Sequence, residues 1–490
     1  MVASVVRLLH SGIQDERLLP KQVDISAYIR ILHRVGRMTT QWQRLDFQQT
    51  PQLNQTAICR LLKKGELITR LYLVSTLPDI YTAQSTAVQA VDGFVGPKFG
   101  WTNSIGHALI QNATITIGGN AIETLDSRLL EVLDEFNTPL EKVQDVNTMI
   151  GRMQNGFTQT SLGNSLTPTQ VIVPLPFWFS RGDLGAALPI DSLHVDQVNI
   201  SIQFRPITSL YYTESTSGAV SETDGSALWS MAGSQFYKLD PSGSIISGIS
   251  PSKVSVIPGV KMPQTFSLGD TYLLAEYVYL DKPEANRFRL ADIEIPLVQH
   301  IAIAPKDTQR APYYQIPLEL QNPTRHIFFM AQNYSANAYN AFFLATRDLT
   351  GNDGILWWPD CSGLNSYGGA LKPGFSTRGS EPFTLIEFIY EGSYVRTSTE
   401  NCALYRSILP SLEERKSPWH NRYMYCIPFG VNSGHIPPSV VMGEANMNRI
   451  MKKELRFGIS QSQRVFIYCW AETYNILKIY GGRGSLLFSY

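Results

Sequence analysis

A chain of 490 residues is long enough to form two or three hydrophobic cores, and a single domain of that length would be unusual. Hydrophobic residues make up 43% of the chain and aromatic residues 11%, which indicates a globular protein rich in β-strands. The 41 basic and 41 acidic side chains cancel, and charged residues reach only 17%. A neutral, charge-poor chain argues against direct binding of nucleic acid, which favours a basic excess, and suits dense protein assembly.

Five cysteines are spread along the chain without a CxxC pair, which favours free thiols in a reducing compartment. No run of apolar residues approaches the roughly 18 that a membrane-spanning helix needs. Residues 1–12 have neither the basic start nor the long apolar stretch of a secretory signal, and Val2 excludes N-myristoylation. We therefore expect a protein that does not itself span a membrane.

The first part of the chain is predicted to be mainly β-structure after an N-terminal arm, residues 1–36. Residues 66–75 are rich in β-branched and aromatic side chains, which favour strands. Residues 112–117 alternate polar and apolar side chains, as in a strand with one wet face. Gly118 and Gly119 then predict a turn that requires positive φ.

Two short helices are predicted in the loop that follows. Asp126 or Ser127 can cap a helix whose apolar residues recur at helical spacing from Leu129 to Phe136. A second apolar stripe of helical period runs through residues 140–153. Both helices would lie between strands.

The most informative stretch of the sequence is residues 173–206. It begins with Val-Pro-Leu-Pro, which no helix would tolerate, and continues with Phe-Trp-Phe at residues 177–179. In an extended chain these three rings would bury area on both sides, between two packed surfaces. After a turn at residues 180–187, residues 198–204 alternate apolar and polar side chains, which predicts a half-buried strand.

The rest of the chain divides into a surface insertion and a second β-rich region. Residues 213–252 are rich in serine, glycine and threonine, and are predicted to be an insertion within the first domain. The charged residues 283–292 are predicted to connect two β-sandwich domains, residues 37–282 and residues 293–490. Near the end, residues 464–479 form a long strand pattern that is closed by a glycine-rich turn.

No motif for catalysis or cofactor binding is present. The sequence has no P-loop, no HExxH and no strand-borne dinucleotide fingerprint, and its eight histidines are scattered without metal-ligand spacing. Arg181-Gly182-Asp183 spells an integrin-type tripeptide, but its position directly after the aromatic segment favours an ordinary turn. We therefore predict no catalytic, cofactor-binding or metal-binding residues.

Three segments closely resemble the major capsid proteins of nucleocytoplasmic large DNA viruses, such as iridoviruses, phycodnaviruses and marseilleviruses. Residues 174–206 contain PLPFWFSR, ALP and FRP, residues 100–123 read GWTNSIGHALIQNATITIGGNAIE, and residues 474–479 read YNILKI. The structural signature that carries the resemblance consists of Trp101, Gly118, Gly119, Pro174, Pro176, Phe177, Trp178, Phe179, Arg181, Phe204, Arg205, Pro206 and Asn475.

The resemblance implies an all-β fold of two consecutive eight-stranded antiparallel jelly-roll β-sandwiches, a double jelly roll, with short helices in the loops. It implies a structural protein without catalysis whose pseudo-hexagonal homotrimers, the capsomers, tile the icosahedral capsid of a large dsDNA virus. The implied partners are other copies of the chain, neighbouring capsomers, and minor capsid and penton proteins. An internal viral membrane would lie nearby without being spanned, nucleic acid would not be contacted, and the virion would be assembled in the host cytoplasm.

Other classes of protein stay open on the residues alone, which support two β-sandwiches of low charge without a catalytic motif. One alternative is a minor capsid or scaffold paralogue of the same fold, which its copy number in particles would reveal. Another is a jelly-roll carbohydrate-binding module, which would bind glycans. A third is a jelly-roll enzyme that acts on carbohydrate, which would lose activity when a carboxylate pair is mutated.

Overall fold

The computed structural model of the chain describes residues 38–78, 99–152, 170–214, 236–237, 267–333, 342–343, 345, 381–391, 393–399, 401–413, 415–418, 422–430, 443–459 and 464–488. The predicted arm, residues 1–36, lies outside the described residues, as does most of the predicted insertion at residues 213–252.

The first half of the chain builds two four-stranded antiparallel sheets and a smaller third sheet. Its described strands are β1 (Met38–Asp46), β2 (Thr56–Arg60), β3 (Leu67–Thr76), β4 (Phe99–Trp101), β5 (Ile110–Ile117), β6 (Asn120–Asp126), β7 (Gln170–Pro174), β8 (Val198–Phe204), β9 (Tyr211–Glu214), β10 (Phe236–Tyr237) and β11 (Thr271–Leu280). The sheets have the orders β1-β11-β3-β7, β2-β8-β5-β6 and β10-β9-β4. Strands distant in sequence are therefore neighbours, and the chain crosses repeatedly between sheets, as in a β-sandwich.

Alternation of side chains decides which face of each strand is buried. In β8, Val198, Ile200, Ile202 and Phe204 are buried and the residues between them are partly exposed, which confirms the predicted half-buried strand. Apolar side chains of both four-stranded sheets belong to one contiguous core. Since burying one such side chain contributes about 1.5–3 kcal/mol, this core holds the sheets together.

The aromatic segment after β7 is buried but not extended. The N–H of Ser180 donates to the carbonyl of Phe177 at 2.8 Å, which closes a turn. The rings of Phe177 and Phe179 stack 6.0 Å apart, and Trp178 packs edge-on against Phe179 at 5.1 Å. The expectation of an extended chain with rings on two sides is therefore wrong, because the turn lets all three rings enter the same core.

The helices of the described residues are short and lie between strands. They are α1 (Ile105–Leu109), α2 (Ser127–Asn137), α3 (Val143–Ile150), α4 (Lys282–Leu290) and α5 (Leu409–Leu412). The side chain of Asp126 accepts hydrogen bonds from the N–H groups of Arg128 and Leu129, which confirms the predicted cap of α2. α3 ends at Gly151 with φ +67°, and the remaining predicted stripe reaches residue 153, outside the described residues. The sequence analysis did not predict α1 or α4.

The second half of the chain repeats the sandwich. Its described strands are β12 (Ile293–Asp307), β13 (Tyr313–Pro317), β14 (Pro323–Asn333), β15 (Phe383–Tyr390), β16 (Ser393–Thr399), β17 (Met424–Pro428), β18 (Ala445–Asn446), β19 (Lys453–Ile459), β20 (Val465–Tyr480) and β21 (Arg483–Leu486). One sheet has the order β12-β20-β14-β17, with β18 beside β14 and β21 beside β20, and the other has the order β13-β19-β15-β16. β20 is the predicted long strand, and a turn at Gly481 and Gly482 closes it.

The two sandwiches share their hydrophobic core. α4 connects β11 of the first sandwich to β12 of the second, within the predicted connector region. The ring of Phe136 in α2 lies 5.5 Å from the ring of Phe328 in β14, and one cluster of buried apolar side chains runs through both sandwiches. The domain boundaries placed at residues 282 and 293 stay predictions, since a shared core does not by itself define two independent units.

Candidate functional site at the seam between the two sandwiches

Strand β6 and helix α2 of the first sandwich face strands β12, β14 and β20 of the second, and we call this contact the inter-sandwich seam. The amide of Gln299 in β12 donates to the carbonyl of Ile122 in β6. The indole N–H of Trp470 in β20 donates to Asp126 Oδ2 at 2.7 Å. The seam therefore joins polar groups as well as apolar ones, and its buried charges form the candidate functional site.

A row of three charged or titratable side chains crosses the second sandwich at the seam. His300 in β12 and His326 in β14 are both directly opposite Glu472 in β20 in the strand register. Because residues opposite each other in antiparallel strands point to the same face, the three side chains lie side by side. All three are fully buried.

Glu472 is the centre of this group, which we call the Glu472 cluster. Its Oε1 accepts from Arg181 Nη1 of the first sandwich at 2.9 Å, and its Oε2 lies 2.6 Å from His326 Nδ1 and 3.3 Å from Arg415 Nη2. His300 Nδ1 lies 2.8 Å from Glu123 Oε1, which belongs to β6 of the first sandwich. Carboxylates and cations from both sandwiches thus alternate through the cluster.

The environment shifts the pKa values of the two histidines in opposite directions. Burial would raise the pKa of Glu472, but Arg415 and the two histidines lower that pKa well below its usual range. Burial and the charge of Arg415 lower the pKa of His326 to about 3, so its neutral ring donates the Nδ1 proton to Glu472. Burial acts in the same direction on His300, but hydrogen bonds with Glu123 and Glu472 outweigh it and raise the pKa of His300.

A second buried carboxylate, Glu131 in α2, forms what we call the Glu131 cluster. Its Oε1 accepts from Ser104 Oγ at 3.0 Å and lies 3.1 Å from Arg422 Nη1 of the second sandwich. Its Oε2 lies 2.6 Å from His107 Nδ1 and 2.7 Å from Arg152 Nη2. The short helix α1 supplies both Ser104, at its N-terminal cap, and His107, which explains why this turn of helix interrupts a strand-rich region.

The charge of Glu131 is stabilised by the cations around it. Burial would raise the pKa of Glu131, but Arg152, His107 and Arg422 lower that pKa well below its usual range. The pKa of Asp134, one turn further along α2, is also lowered despite burial, chiefly by Arg152. Taking such charges out of water is costly, so an arrangement of the sandwiches that left one of them without its partner would be disfavoured.

Backbone contacts close one end of the seam. The N–H groups of Val195 and Asp196 donate to the carbonyl of Gly482 at 3.1 and 3.2 Å, and Asp196 Oδ2 accepts from the N–H of Gly484 at 3.0 Å. Gly482 has φ +79°, and a Cβ at this residue would lie 2.5 Å from the His194 ring. The glycine-rich turn after β20 therefore allows the backbone segments at residues 194–196 and 482–484 to approach each other closely.

Arg181 is the predicted signature residue with the most direct contact across the seam, through its ion pair with Glu472. Its side chain is only 15% exposed, and Gly182 takes φ +80° in the turn that follows. The Arg181-Gly182-Asp183 tripeptide therefore belongs to a structural turn, as predicted, because its cation is bound inside the protein.

Trp178, Asn475 and Arg205 also lie beside the seam. The backbone N–H of Trp178 donates to Glu123 Oε2 at 3.3 Å, and its side chain is fully buried. The amide of Asn475 donates to Gln299 Oε1 and to the carbonyl of Phe488, both at 2.9 Å, so it ties the C-terminal segment to β12. Arg205 Nη2 donates to Ser127 Oγ at 2.6 Å, at the start of α2.

The remaining signature residues have local structural positions. Gly118 and Gly119 adopt φ +59° and +90° in the predicted turn between β5 and β6. Phe177, Phe179, Phe204 and Trp101 are buried in the shared core. Pro174 ends β7, Pro176 follows it, and Pro206 precedes a short 3₁₀ turn at Ile207–Ser209. Their importance for function stays a prediction.

Comparison with known proteins identifies the family. A family model described as "Major capsid protein N-terminus" matches residues 26–281, more than half of the chain. The chain belongs to the major capsid protein family. This confirms the resemblance drawn from residues 100–123 and 174–206. The relatives are capsid proteins, and the predicted class of structural protein rather than enzyme is confirmed by them.

Relatives in this capsid protein family come from several large DNA viruses. The chain is 26% identical over 211 residues to Probable capsid protein 4 of Acanthamoeba polyphaga mimivirus, covering 43% of this chain and 39% of that protein. It is 25% identical over 293 residues to the major capsid protein of Simulium iridescent virus, covering 59% and 51%. It is 20% identical over 430 residues to the major capsid protein of Frog virus 3, covering 86% and 83%. The chain thus spans about half or less of the length of the first two relatives.

Solved structures of capsid proteins share the fold. The Faustovirus major capsid protein has a TM-score of 0.60 at 12% identity, with 91% of each chain covered. A chain of a quasi-atomic model of the PBCV-1 virus capsid has a TM-score of 0.63 at 16% identity, with 93% of this chain and 98% of that chain covered. The fold is a double jelly roll, as predicted.

The residues that form the two clusters were not predicted from the sequence. The histidines are scattered along the chain, and no spacing pattern identifies Glu123, Glu131 or Glu472 as paired carboxylates. One signal could have indicated them, since Glu472 directly follows the apolar residues 465–471 of β20, and Glu131 lies between the apolar residues Leu130 and Val132 of α2. A charged residue inside an apolar element usually needs a buried partner.

The described part of the chain contains neither a metal-binding cluster nor a membrane-spanning helix. No three histidine, cysteine, aspartate or glutamate side chains there are placed to hold a metal ion. Among the same residues, no helix is long and apolar enough to cross a membrane.

Proposed function

We propose that the chain is the major structural subunit of the icosahedral shell of a large DNA virus and acts as a homotrimer of pseudo-hexagonal outline. The observation that carries the proposal is the inter-sandwich seam, in which Arg181 pairs with Glu472 and Arg422 pairs with Glu131. Reciprocal buried ion pairs hold two similar sandwiches side by side as one block. Three such blocks around a threefold axis would present six similar walls, which suits the tiling of a flat facet.

The proposed partners follow from this arrangement. Capsomers would contact neighbouring capsomers through their side walls, and minor capsid and penton proteins would fill the positions that a trimer cannot. A net charge of zero supports dense packing and disfavours direct contact with nucleic acid. We place the chain in the virion, near an internal membrane that it does not span, after assembly in the host cytoplasm.

The test is the mass and shape of the purified protein. Light scattering should give three times the mass of one chain, and negative-stain electron microscopy should show particles of pseudo-hexagonal outline. Arg181→Gln with Arg422→Gln should reduce the trimer fraction if the rigid block is what assembles. A stable monomer, even after co-expression with the other proteins of the same virus, would contradict the proposal and lead to glycan-binding assays.

A second candidate is a minor capsid or scaffold protein of the same fold. It is favoured by the mimivirus relative, whose name, Probable capsid protein 4, indicates several capsid proteins in one virus. Quantitative mass spectrometry of purified particles separates the candidates. A major subunit should be the most abundant shell protein, whereas a minor or scaffold protein should be rare in or absent from mature particles.

A further inference from the structure

A cleft of about 560 Å³ opens at the inter-sandwich seam, beside the start of α2. Residues of the first sandwich, among them Asp126, Arg128 and Arg205, line one side, and residues of β12 and β20, among them Gln299 and Tyr468, line the other. Its size falls within the range of about 300–1,000 Å³ that is usual for small-ligand sites. The Glu472 and Glu131 clusters do not use Arg128 or Arg205.

Two arginines at this cleft, Arg128 and Arg205, pack against the same aromatic ring, that of Phe342. The guanidinium of Arg205 lies 4.4 Å from the centre of the Phe342 ring, and that of Arg128 lies 5.7 Å from it. Arg128 also lies 4.2 Å over the ring of Tyr468. Burial lowers the pKa of Arg128, and burial followed by the charge of Arg128 lowers the pKa of Arg205 to about 10. Both effects mean that two cations are held close together with little water around them.

The carboxylates beside these arginines have other hydrogen-bond partners, although the charge of Asp126 still acts on both arginines. Asp126 Oδ1 accepts from the N–H groups of Arg128 and Leu129, and its Oδ2 accepts from the Trp470 indole. Glu123, which also lines the cleft, is bound to His300. Arg205 Nε is buried without a hydrogen-bond partner among the described residues. The lining therefore holds two arginines beside two carboxylates that have other hydrogen-bond partners, and one donor, Arg205 Nε, that lacks an acceptor in the described part of the chain.

We propose that this cleft binds an oxyanion, a carboxylate or a phosphate group, between Arg128 and Arg205. The planar fork of Arg205 matches the paired oxygens of such groups, and an anion would satisfy Arg205 Nε and offset the repulsion between the two cations. Arg128 already donates from Nε and Nη2 to Gln332 Oε1 at 3.2 and 2.9 Å, so it would contribute mainly its charge. The oxyanion could be a free ion or an acidic side chain of another protein. The proposal does not depend on trimer formation, because one chain supplies every residue of the site.

Isothermal titration calorimetry on the full chain tests the site with two probes. They are inorganic phosphate and N-acetylglutamate whose α-carboxyl group is amidated, both at constant ionic strength set with chloride. At least one probe should bind saturably, and Arg205→Gln should weaken that binding at least tenfold. Arg60→Gln, which removes an exposed arginine of the same sandwich, should leave the affinity unchanged. Binding of phosphate alone indicates a free ion, and binding of the glutamate probe indicates an acidic side chain as the occupant.

Arg205→Lys is a second variant that distinguishes loss of binding from loss of folding. It keeps the positive charge and the aromatic contact but removes the planar fork. It should bind more weakly than the native protein and more tightly than Arg205→Gln. The absence of saturable heat with both probes would overturn the proposal. So would equal affinity in the native protein and in folded Arg205→Gln or Arg205→Lys.

Discussion

Two of the buried carboxylates at the seam, Glu472 and Glu131, join the same two sandwiches from opposite sides. Glu472 belongs to the second sandwich and binds Arg181 of the first, whereas Glu131 belongs to the first and binds Arg422 of the second. Through these two pairs, each sandwich supplies one carboxylate and one arginine to its neighbour. Sliding one sandwich along the other would leave two buried charges unpaired at two separate places, which favours a single relative arrangement.

The difference between the clusters lies in the element that carries the carboxylate. Glu472 is in β20, which lies between β12 and β14 in its sheet, so strand register places His300 and His326 on either side of it. Glu131 is on helix α2, where Asp134 follows one turn later and shares Arg152. Both clusters contain arginines that remain charged at all relevant pH values, and the Glu472 cluster adds two histidines whose pKa values are shifted in opposite directions.

The largest effects are expected when the central carboxylates are neutralised. Glu472→Gln should lower the free energy of unfolding by about 3–5 kcal/mol, because Arg181 and Arg415 would lose their buried partner, and Glu131→Gln should cost about as much. Urea unfolding at pH 7 measures both. The control is Glu294→Gln, whose partner Lys478 is 44% exposed, and it should cost less than about 1 kcal/mol. If the seam variants cost no more than this control, the clusters do not hold the sandwiches together.

An apolar substitution beside the same seam separates packing from charge. Trp178→Ala should also cost roughly 3–5 kcal/mol, because its indole is fully buried in the shared core. Unlike removal of a titrating group, this loss should stay constant between pH 7 and pH 5. Urea unfolding at several pH values checks it, and unchanged stability would refute the contribution of the ring to the core.

Acid sensitivity should distinguish the clusters. In the unfolded chain His326 is protonated near its ordinary pKa of 6.5, whereas in the folded protein the pKa of His326 is lowered to about 3. His326 therefore destabilises the fold as the pH falls from 6.5 towards 3. The cost is up to about 1.4 kcal/mol per pH unit. His300 acts oppositely, because its raised pKa stabilises the folded protein at low pH, and this contribution is lost as pH rises through the folded pKa.

His326→Gln should therefore flatten the fall in thermal stability between pH 6.5 and pH 5, above the range where carboxylates usually titrate. His194→Gln, at an exposed position, serves as the control and should leave the slope unchanged. The same slope in His326→Gln and in the native protein would show that another group causes the acid sensitivity.

The smallest expected effect concerns the end of the seam that backbone contacts with Gly482 close. Gly482→Ala should cost about 1–2 kcal/mol from its positive φ, and more where the new Cβ meets His194. Gly481→Ala is a matched control, since it has φ +56° and open space around its Cβ, and it should carry the backbone cost alone. Equal losses of thermal stability in the two variants would mean that the close approach of Gly482 to His194 does not contribute to stability.

Much of the fold could be predicted because the signals are local. The alternation in residues 198–204, the Asp126 cap and the turn at Gly118 and Gly119 each depend on neighbouring residues, and all three are present. The segment at residues 177–179 shows the limit of such reasoning. Its composition indicated burial correctly, but whether the chain runs straight or turns depends on the hydrogen bond from Ser180 to Phe177 and on the space between the sheets.

The sequence by itself determined the strand-rich class, the division into two similar halves and the family, because periodicity and long irregular motifs are properties of neighbouring residues. Only the tertiary structure decided the seam. His300, His326 and Glu472 are far apart in the chain and become neighbours through strand register, while Arg181 arrives from the other sandwich. Their charge states then follow from burial and from the cations beside them, which are properties of the assembled fold.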